Sequence, residues 1–327
     1  MPRHLGAGLT GLLLACLLLA APPALGTADE APRPSIGLAL GSGGASGLAH
    51  IAILQVFDEL EIQPDHIAGT SIGAVIGGLY AAGLSADEIL DLFDDFGGSP
   101  LDALSELAGN SELGITDLVQ LGLGEGGLLD SSGFLHFLAS HTEVREFSEL
   151  RIPLSVVATD YWSGESVVLD EGELFPALAA SMAVPGLFKP SRRDHQLLID
   201  GGTSNPLPFD LLQGRVDRVI AVDVTGRREP VEGEVAGITD LLFKTFEIMQ
   251  QSITRQMVRH QPPDLYLQPD VAGVRLLHFN RVMDVLAQAQ PTADELRERL
   301  EAWQAETAQP GIRQDSDDQL SEQKGPT

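Results

Sequence analysis

Two glycine-flanked positions carry the residue types needed for acyl transfer. Gly69-Thr-Ser71-Ile-Gly73 sets a serine between an apolar run, HIAG, and a segment whose apolar residues recur at helical spacing. On a sharp strand-to-helix turn a serine hydroxyl stands clear of its neighbours at a helix N-terminus, where the dipole favours negative charge. The same residues also describe an ordinary turn with Ser71 as helix N-cap. A serine hydroxyl becomes a nucleophile only with a base beside it. His260 and His278 come late enough in the chain for a Ser-His-Asp arrangement. The other candidate is Asp200, in LLID-Gly-Gly-Thr-Ser-Asn-Pro. An aspartate closing an apolar strand and followed by Gly201 and Gly202 sits at the edge of a sheet. In a parallel sheet that edge also holds the Ser71 turn. Asp-Gly is equally a common turn pair.

A third stretch, Gly41-Ser-Gly43-Gly44-Ala45-Ser-Gly47, lies between SIGLAL and AHIAILQVFDEL. Glycines between a strand and a helix bare their backbone N–H groups, which suits an anion. A nucleotide phosphate is the poorer match. Ser46 stands where G-x-G-x-x-G needs its last glycine, and no G-K-[S/T] follows.

The elements that must position these groups follow from periodicity. Strands are expected at 35–40, 66–69, 152–160, 165–170, 196–200, 218–224 and 265–268. Helices are expected at 46–60, from Ile72 to Gly83, after a Ser85–Glu88 capping box, and at 131–139, 174–183, 236–260, 279–289 and 292–306. The Gly-rich stretch 97–130 reads as a cap or lid. Strand and helix alternate, which argues an α/β fold with a mostly parallel sheet and helices on both faces.

Composition narrows the function classes. The 327 residues carry 47 Asp and Glu against 20 Lys and Arg, a net charge of −27 that repels nucleic acid and anionic membrane at long range. The single cysteine, Cys16, leaves no intramolecular disulfide and no Cys-based metal cluster. Residues 1–26 have the form of a signal peptide: an arginine, a long apolar run and small residues before Gly26. The expectation is an exported protein, periplasmic or secreted; lipidation at Cys16 fits less well because apolar residues follow it. A polar linker over 27–34, a hydrolase domain over 35–306 and a disordered tail over 307–327 complete the expected plan.

Taken together, GSGGASGLAHIAILQVFDE, PDHIAGTSIGAVIGGLYAAG, LAASMAVPGLFKP and LIDGGTSNPLP resemble the bacterial patatin-like phospholipases, in their order and over about 35–280. The resemblance implies a three-layer α/β/α sandwich and a lipid acyl hydrolase with a Ser–Asp dyad, no catalytic histidine, no metal and no cofactor. Carried over by motif, Ser71 is the nucleophile and Asp200 the base. The N–H groups of Gly43, Gly44 and Ala45 form an oxyanion hole, each donor worth roughly 3–4 kcal/mol of barrier. Gly41, Gly47, Gly69, Gly73, Gly201 and Gly202 are the motif glycines. The implied substrate is a phospholipid, lysophospholipid or other acyl ester, met in transient contact with a membrane surface. Apolar stretches near 113–135 and 182–188 are candidates for an acyl channel. The chain departs from the pattern at Ser46, where many relatives carry Arg or Lys, and at Ser42, where they carry Gly. A Ser-His-Asp esterase and a weakly active lipid-binding envelope protein are the competing expectations.

Overall fold

The computed structural model describes residues 33–97, 131–225 and 238–308. The expected signal peptide, the 97–130 cap beyond its first residue, and most of the linker and tail lie outside them.

The frame is a mixed sheet with hydrogen-bonded order β5-β6-β3-β2-β1-β7-β8, and β4 on β3. Its strands are β1 (Ile36–Leu40), β2 (His66–Thr70), β3 (Leu154–Asp160), β4 (Ser166–Leu169), β5 (Ser191–Arg193), β6 (Gln196–Asp200), β7 (Arg218–Val222) and β8 (Leu265–Leu267). β2, β1, β7 and β8 run parallel to one another, and β3 runs parallel to β2. Strands buried on both faces read as continuous apolar runs, which is why IGLAL and RVIAV show no alternation of polar and apolar residues.

The two faces differ. On one, Leu38, Leu40, Ile67, Ile220 and Val222 meet the larger core. That core is built with α1 (Ala49–Glu59), α2 (Ile72–Ala81), α3 (Ala86–Gly97), α4 (Ser132–Ala139) and α5 (Leu174–Ser181). On the other, Ala39, Ala68 and Ala221 are small enough to admit Leu207, Phe209 and Leu212, with Met257 and Val258 of α6 (Ile238–His260) packed outside them. α2 is buried along its whole length, as a helix apolar all round requires. α3 opens on the expected capping box: Ser85 N and Oγ donate to Glu88 Oε2, and Glu88 N donates back to Ser85 Oγ.

Three expectations are corrected. The helices expected at 279–289 and 292–306 are one helix, α7 (Val282–Ala308), with Pro291 inside it. Proline removes one helical hydrogen bond. Yet Val282, Val285, Ala289, Ala293, Leu296, Leu300 and Trp303 form one unbroken buried stripe, and that burial holds the two halves in phase. β5, Ser-Arg-Arg, was not expected, because a polar edge strand has no apolar pattern to read. Finally, β6 runs antiparallel to β3, not parallel.

That last correction explains how the site is assembled. β2 pairs with Leu154–Val157 of β3, and β6 with Ala158–Asp160. β4 pairs with Val156–Thr159 and so overlaps both. A strand has only two edges, so β2 and β6 share the one that β4 leaves free. They approach head to head along it. Thr70 is in register with Val157, and Asp200 with the next residue, Ala158. The chain leaving β2 at Ser71 therefore meets the chain leaving β6 at Asp200.

Candidate active site

Ser71 sits on the turn between β2 and α2 with φ 55° and ψ −122°. A positive φ on a non-glycine residue is strained and persists only where the surroundings enforce it. Here they do. The Ser71 N–H donates to Ser181 Oγ at 2.8 Å, and Ser181 in turn donates to Val157 O at 2.6 Å. Thr70 Oγ1 donates to Asn205 O at 2.9 Å. The turn also needs its glycines: a Cβ on Gly73 would stand 2.2 Å from Leu40 O, and one on Gly69 2.6 Å from Ala74 Cα. Both obstacles are backbone and cannot swing away. Ser71 caps α2 with its conformation only; its side chain makes no capping bond, so the N-cap role does not occupy the hydroxyl.

Asp200 is buried, 1 % exposed. Its N–H donates to Ala183 O, and Thr159 Oγ1 donates to its carbonyl. The Gly202 N–H donates to Oδ1 at 2.7 Å. Oδ2 is buried and has no hydrogen-bond partner. Desolvation pushes the carboxyl pKa up to about 7, while the nearby Ser71 hydroxyl and the Gly202 N–H pull it down. Ser71 thus approaches the carboxyl closely enough to affect it without closing a fully formed bond, a looseness common in free enzymes. Gly201 runs tight beneath this turn: a Cβ there would lie 2.2 Å from Val157 O.

The third stretch forms the opposite wall. Gly41 N donates to Val222 O and Ser42 N to Pro206 O, anchoring the loop to the end of β7 and to the 206 turn. Gly43 and Gly44 line the cleft with Ser71 and Asp200. Among the described residues no acceptor takes the N–H of either. Ala45 differs from the expectation: its N–H donates to Leu276 O at 2.9 Å, so the third amide is spent on the loop's own support. Gly47 packs on Ile72, and Gly202 lies beside Ser42 and Gln250. Ser46 is buried in the 3-10 turn that follows. Ser42 Oγ is buried without a partner, like Asp200 Oδ2. Orphaned polar atoms of this kind are rare in folded proteins and mark places where something else is bound or made.

Sequence reasoning missed three contributors. His50 is fully buried in α1, with Nε2 2.9 Å from Gly41 O. Burial pushes its pKa down to about 4, so it is neutral and the Nε2–H donates to the loop carbonyl. Ser181 lay within the LAASMAVPG motif but was given no role. Gln250, in the middle of α6, lines the cleft with Phe243, Phe246 and Glu247 of the same helix. No local pattern distinguishes these from ordinary helix positions. His260 and His278 do not line the cleft, and neither does any other histidine among the described residues. Val184 does, from the 182–188 stretch expected at an acyl channel; 113–130 lies outside the described residues. The cavity itself is narrow, about 20 Å³, room for about one water.

Comparison with known proteins gives the following. A family model described as patatin-like phospholipase matches residues 38–212. An uncharacterized NTE family protein of Mycobacterium bovis is 35% identical over 195 residues, 59% of this chain and 50% of the relative. Mouse patatin-like phospholipase domain-containing protein 7 is 30% identical over 198 residues, 60% of this chain and 14% of the relative. The chain thus spans half or less of the length of these curated relatives. Among solved structures, VipD from Legionella pneumophila aligns with TM-score 0.47 and 14% identity, covering 83% of this chain and 68% of VipD.

Proposed function

This chain belongs to the patatin-like phospholipase family, and on that premise we propose that it is a serine lipid acyl hydrolase with Ser71 as nucleophile and Asp200 as base. One observation carries the reading. A buried carboxylate oxygen with no partner, Asp200 Oδ2, belongs to the residue that the sheet register brings up to the strained Ser71 turn.

In the proposed reaction Asp200 Oδ2 accepts the proton of Ser71 Oγ as that oxygen attacks the ester carbonyl. The carbonyl electrons move onto oxygen, and the Gly43 and Gly44 N–H groups receive the resulting charge. Collapse of the tetrahedral intermediate expels the alcohol, which takes the proton from Asp200, and leaves an acyl-Ser71 ester. Water then gives a proton to Asp200 and attacks the acyl carbon; collapse of this second intermediate frees the fatty acid as Asp200 returns the proton to Ser71 Oγ. A carboxylate with a pKa near 7 suits this work, because it is a stronger base than an ordinary aspartate and still ionised at mild alkaline pH. Among the described residues no histidine lines the cleft, which tells against the Ser-His-Asp alternative.

The substrate class proposed is a phospholipid, lysophospholipid or other acyl ester, met at a membrane surface after export through residues 1–26. The test is turnover of a p-nitrophenyl ester and labelling by a fluorophosphonate. Both should be lost in Ser71→Ala, and turnover should be lost in Asp200→Asn with the fold retained. Hydrolysis at the wild-type rate by either variant defeats the dyad.

A further inference from the structure

α6 has two working faces. Its inward side chains, Phe243, Phe246, Glu247 and Gln250, close over Ser71 and Asp200, and Thr254, Met257 and Val258 continue that face onto the sheet. The described cleft, about 20 Å³, is too narrow for an acyl chain with this helix where it is. Its outward face falls at 241, 242, 245, 248, 249, 252, 255, 256 and 259, one stripe at helical spacing. The first half of the stripe is apolar and exposed: Leu241 56%, Leu242 64%, Ile248 52% and Met249 53%. The second half carries Arg255 and Arg259, both exposed, and no acidic residue falls anywhere on the stripe.

Such a face is out of keeping with the rest of the chain. In a molecule of net charge −27, a stripe with two cations and no anion is locally inverted. Screening reduces the influence of charges beyond about 8 Å at physiological salt, so a surface pressed against α6 meets the arginines before it meets the acidic remainder. An apolar stripe with a basic end is the pattern of a helix that lies in a lipid–water interface. A second exposed apolar element lies at the same end of the sheet. Tyr161 and Trp162 follow the last residue of β3, are 52% and 78% exposed, and pack edge to face at 4.8 Å. Tyr and Trp favour that wet–apolar boundary.

We propose that the outward face of α6, from Leu241 to Arg259, is the surface with which this protein seats on an anionic lipid–water interface, and that seating there draws the helix away from the Ser71–Asp200 cleft beneath it. Both faces of one helix then serve one substrate: the membrane takes the outer side, and a lipid from it enters where the inner side had closed the site. The second clause rests on the hydrolase reading; the first does not.

Sedimentation with vesicles tests the docking surface without turnover, using the full chain carrying Ser71→Ala, so that residues 1–26 are the same in every arm. Vesicles of phosphatidylcholine with phosphatidylglycerol should bind it more tightly than phosphatidylcholine alone. Arg255→Gln with Arg259→Gln should weaken that binding roughly 25-fold, about fivefold per arginine. Leu242→Asp with Ile248→Asp should weaken it on both kinds of vesicle by about tenfold or more. Equal binding by wild-type and variant faces overturns the proposal. So does a wild-type dimer that the Leu242→Asp/Ile248→Asp pair disperses, since a second copy would then be the occupant. Fluorophosphonate labelling of the chain with Ser71 intact tests the uncovering. Ser71 should label roughly tenfold faster with anionic vesicles than without, and equal rates overturn that clause. No labelling in either condition, with vesicle binding intact, overturns the hydrolase reading and leaves the docking surface standing.

Discussion

The floor of the cleft and its roof are built on opposite terms. The floor is the Ser71 turn, the Asp200 turn and the Gly41–Gly47 loop, held by buried backbone bonds and by glycines whose hydrogen atoms face carbonyl groups. The roof is α6, which is half-buried, reaches the sheet through a few side chains and shows four large apolar residues to solvent. The floor holds strain in place, since a positive φ at Ser71 and an orphaned carboxylate oxygen both cost free energy that only rigid surroundings sustain. The roof has no strained backbone residue among those described, although it too buries an orphaned hydroxyl, Thr254 Oγ1. On the proposed reading, catalytic precision belongs to the floor and substrate access to the roof, and among the described residues the two meet in the cleft at Phe243, Phe246, Glu247 and Gln250.

A substitution at a floor glycine should do the most damage. Gly73→Ala would force a Cβ to within 2.2 Å of Leu40 O, and a cost of roughly 4 kcal/mol or more is expected. Chemical denaturation of any soluble product, or its loss to the insoluble fraction, measures this. Wild-type stability in that variant would mean that the floor yields as readily as the roof.

Asp200→Asn separates function from stability. It should abolish ester turnover yet raise stability by a few kcal/mol above pH 7. The sign follows from the raised pKa. Below about pH 4 the carboxyl is protonated in both folded and unfolded chains, so burial carries no ionisation penalty. Between its ordinary 3.8 and about 7 the unfolded chain releases the proton first, and stability falls as pH rises. Asparagine removes that loss, and denaturation curves at pH 5 and pH 8 would show the gap between variant and wild type opening with pH. The same ionisation governs rate: kcat/KM on a monomeric ester should rise about tenfold per pH unit on the acid side and level off near pH 7. A profile flat from pH 5 to 8 would remove Asp200 as the base.

His50→Ala removes the donor to Gly41 O from behind the loop. A stability loss of about 1–3 kcal/mol is expected, together with a fall in kcat larger than any rise in KM, because Gly43 and Gly44 then lose their fixed aim. A roof substitution, Leu242→Ser, should leave stability within about 0.5 kcal/mol of wild type. Thermal denaturation of the pair sets the two regions side by side.

Much of this site was legible from local signals, and what was not shares one cause. The glycine turns, the apolar runs and the capping box at Ser85 depend on residues close in the chain, so spacing alone exposes them. His50 and Ser181 are ordinary helix residues whose hydrogen-bond partners, Gly41 and Ser71, lie 9 and 110 positions away, and Gln250 lines the cleft with Asp200, 50 positions away. The Ala45 amide was assigned to the anion because its engagement by Leu276 depends on a loop more than two hundred residues later. The polar strand β5 and the unbroken α7 were misread for the same reason, since each is held by the element it packs on.

By itself, the sequence determined which groups were available and how the nearby backbone would bend: a serine on a tight turn, an aspartate before two glycines, a loop with bare amides, and strands and helices in alternation. Tertiary structure alone decided that the serine and the aspartate meet. They are 129 residues apart, and what joins them is β3, whose one free edge seats β2 from one end and β6 from the other. Side-chain periodicity records which face of a strand is buried. It carries no record of which edge is shared, because backbone hydrogen bonds are the same for every residue that can donate and accept them.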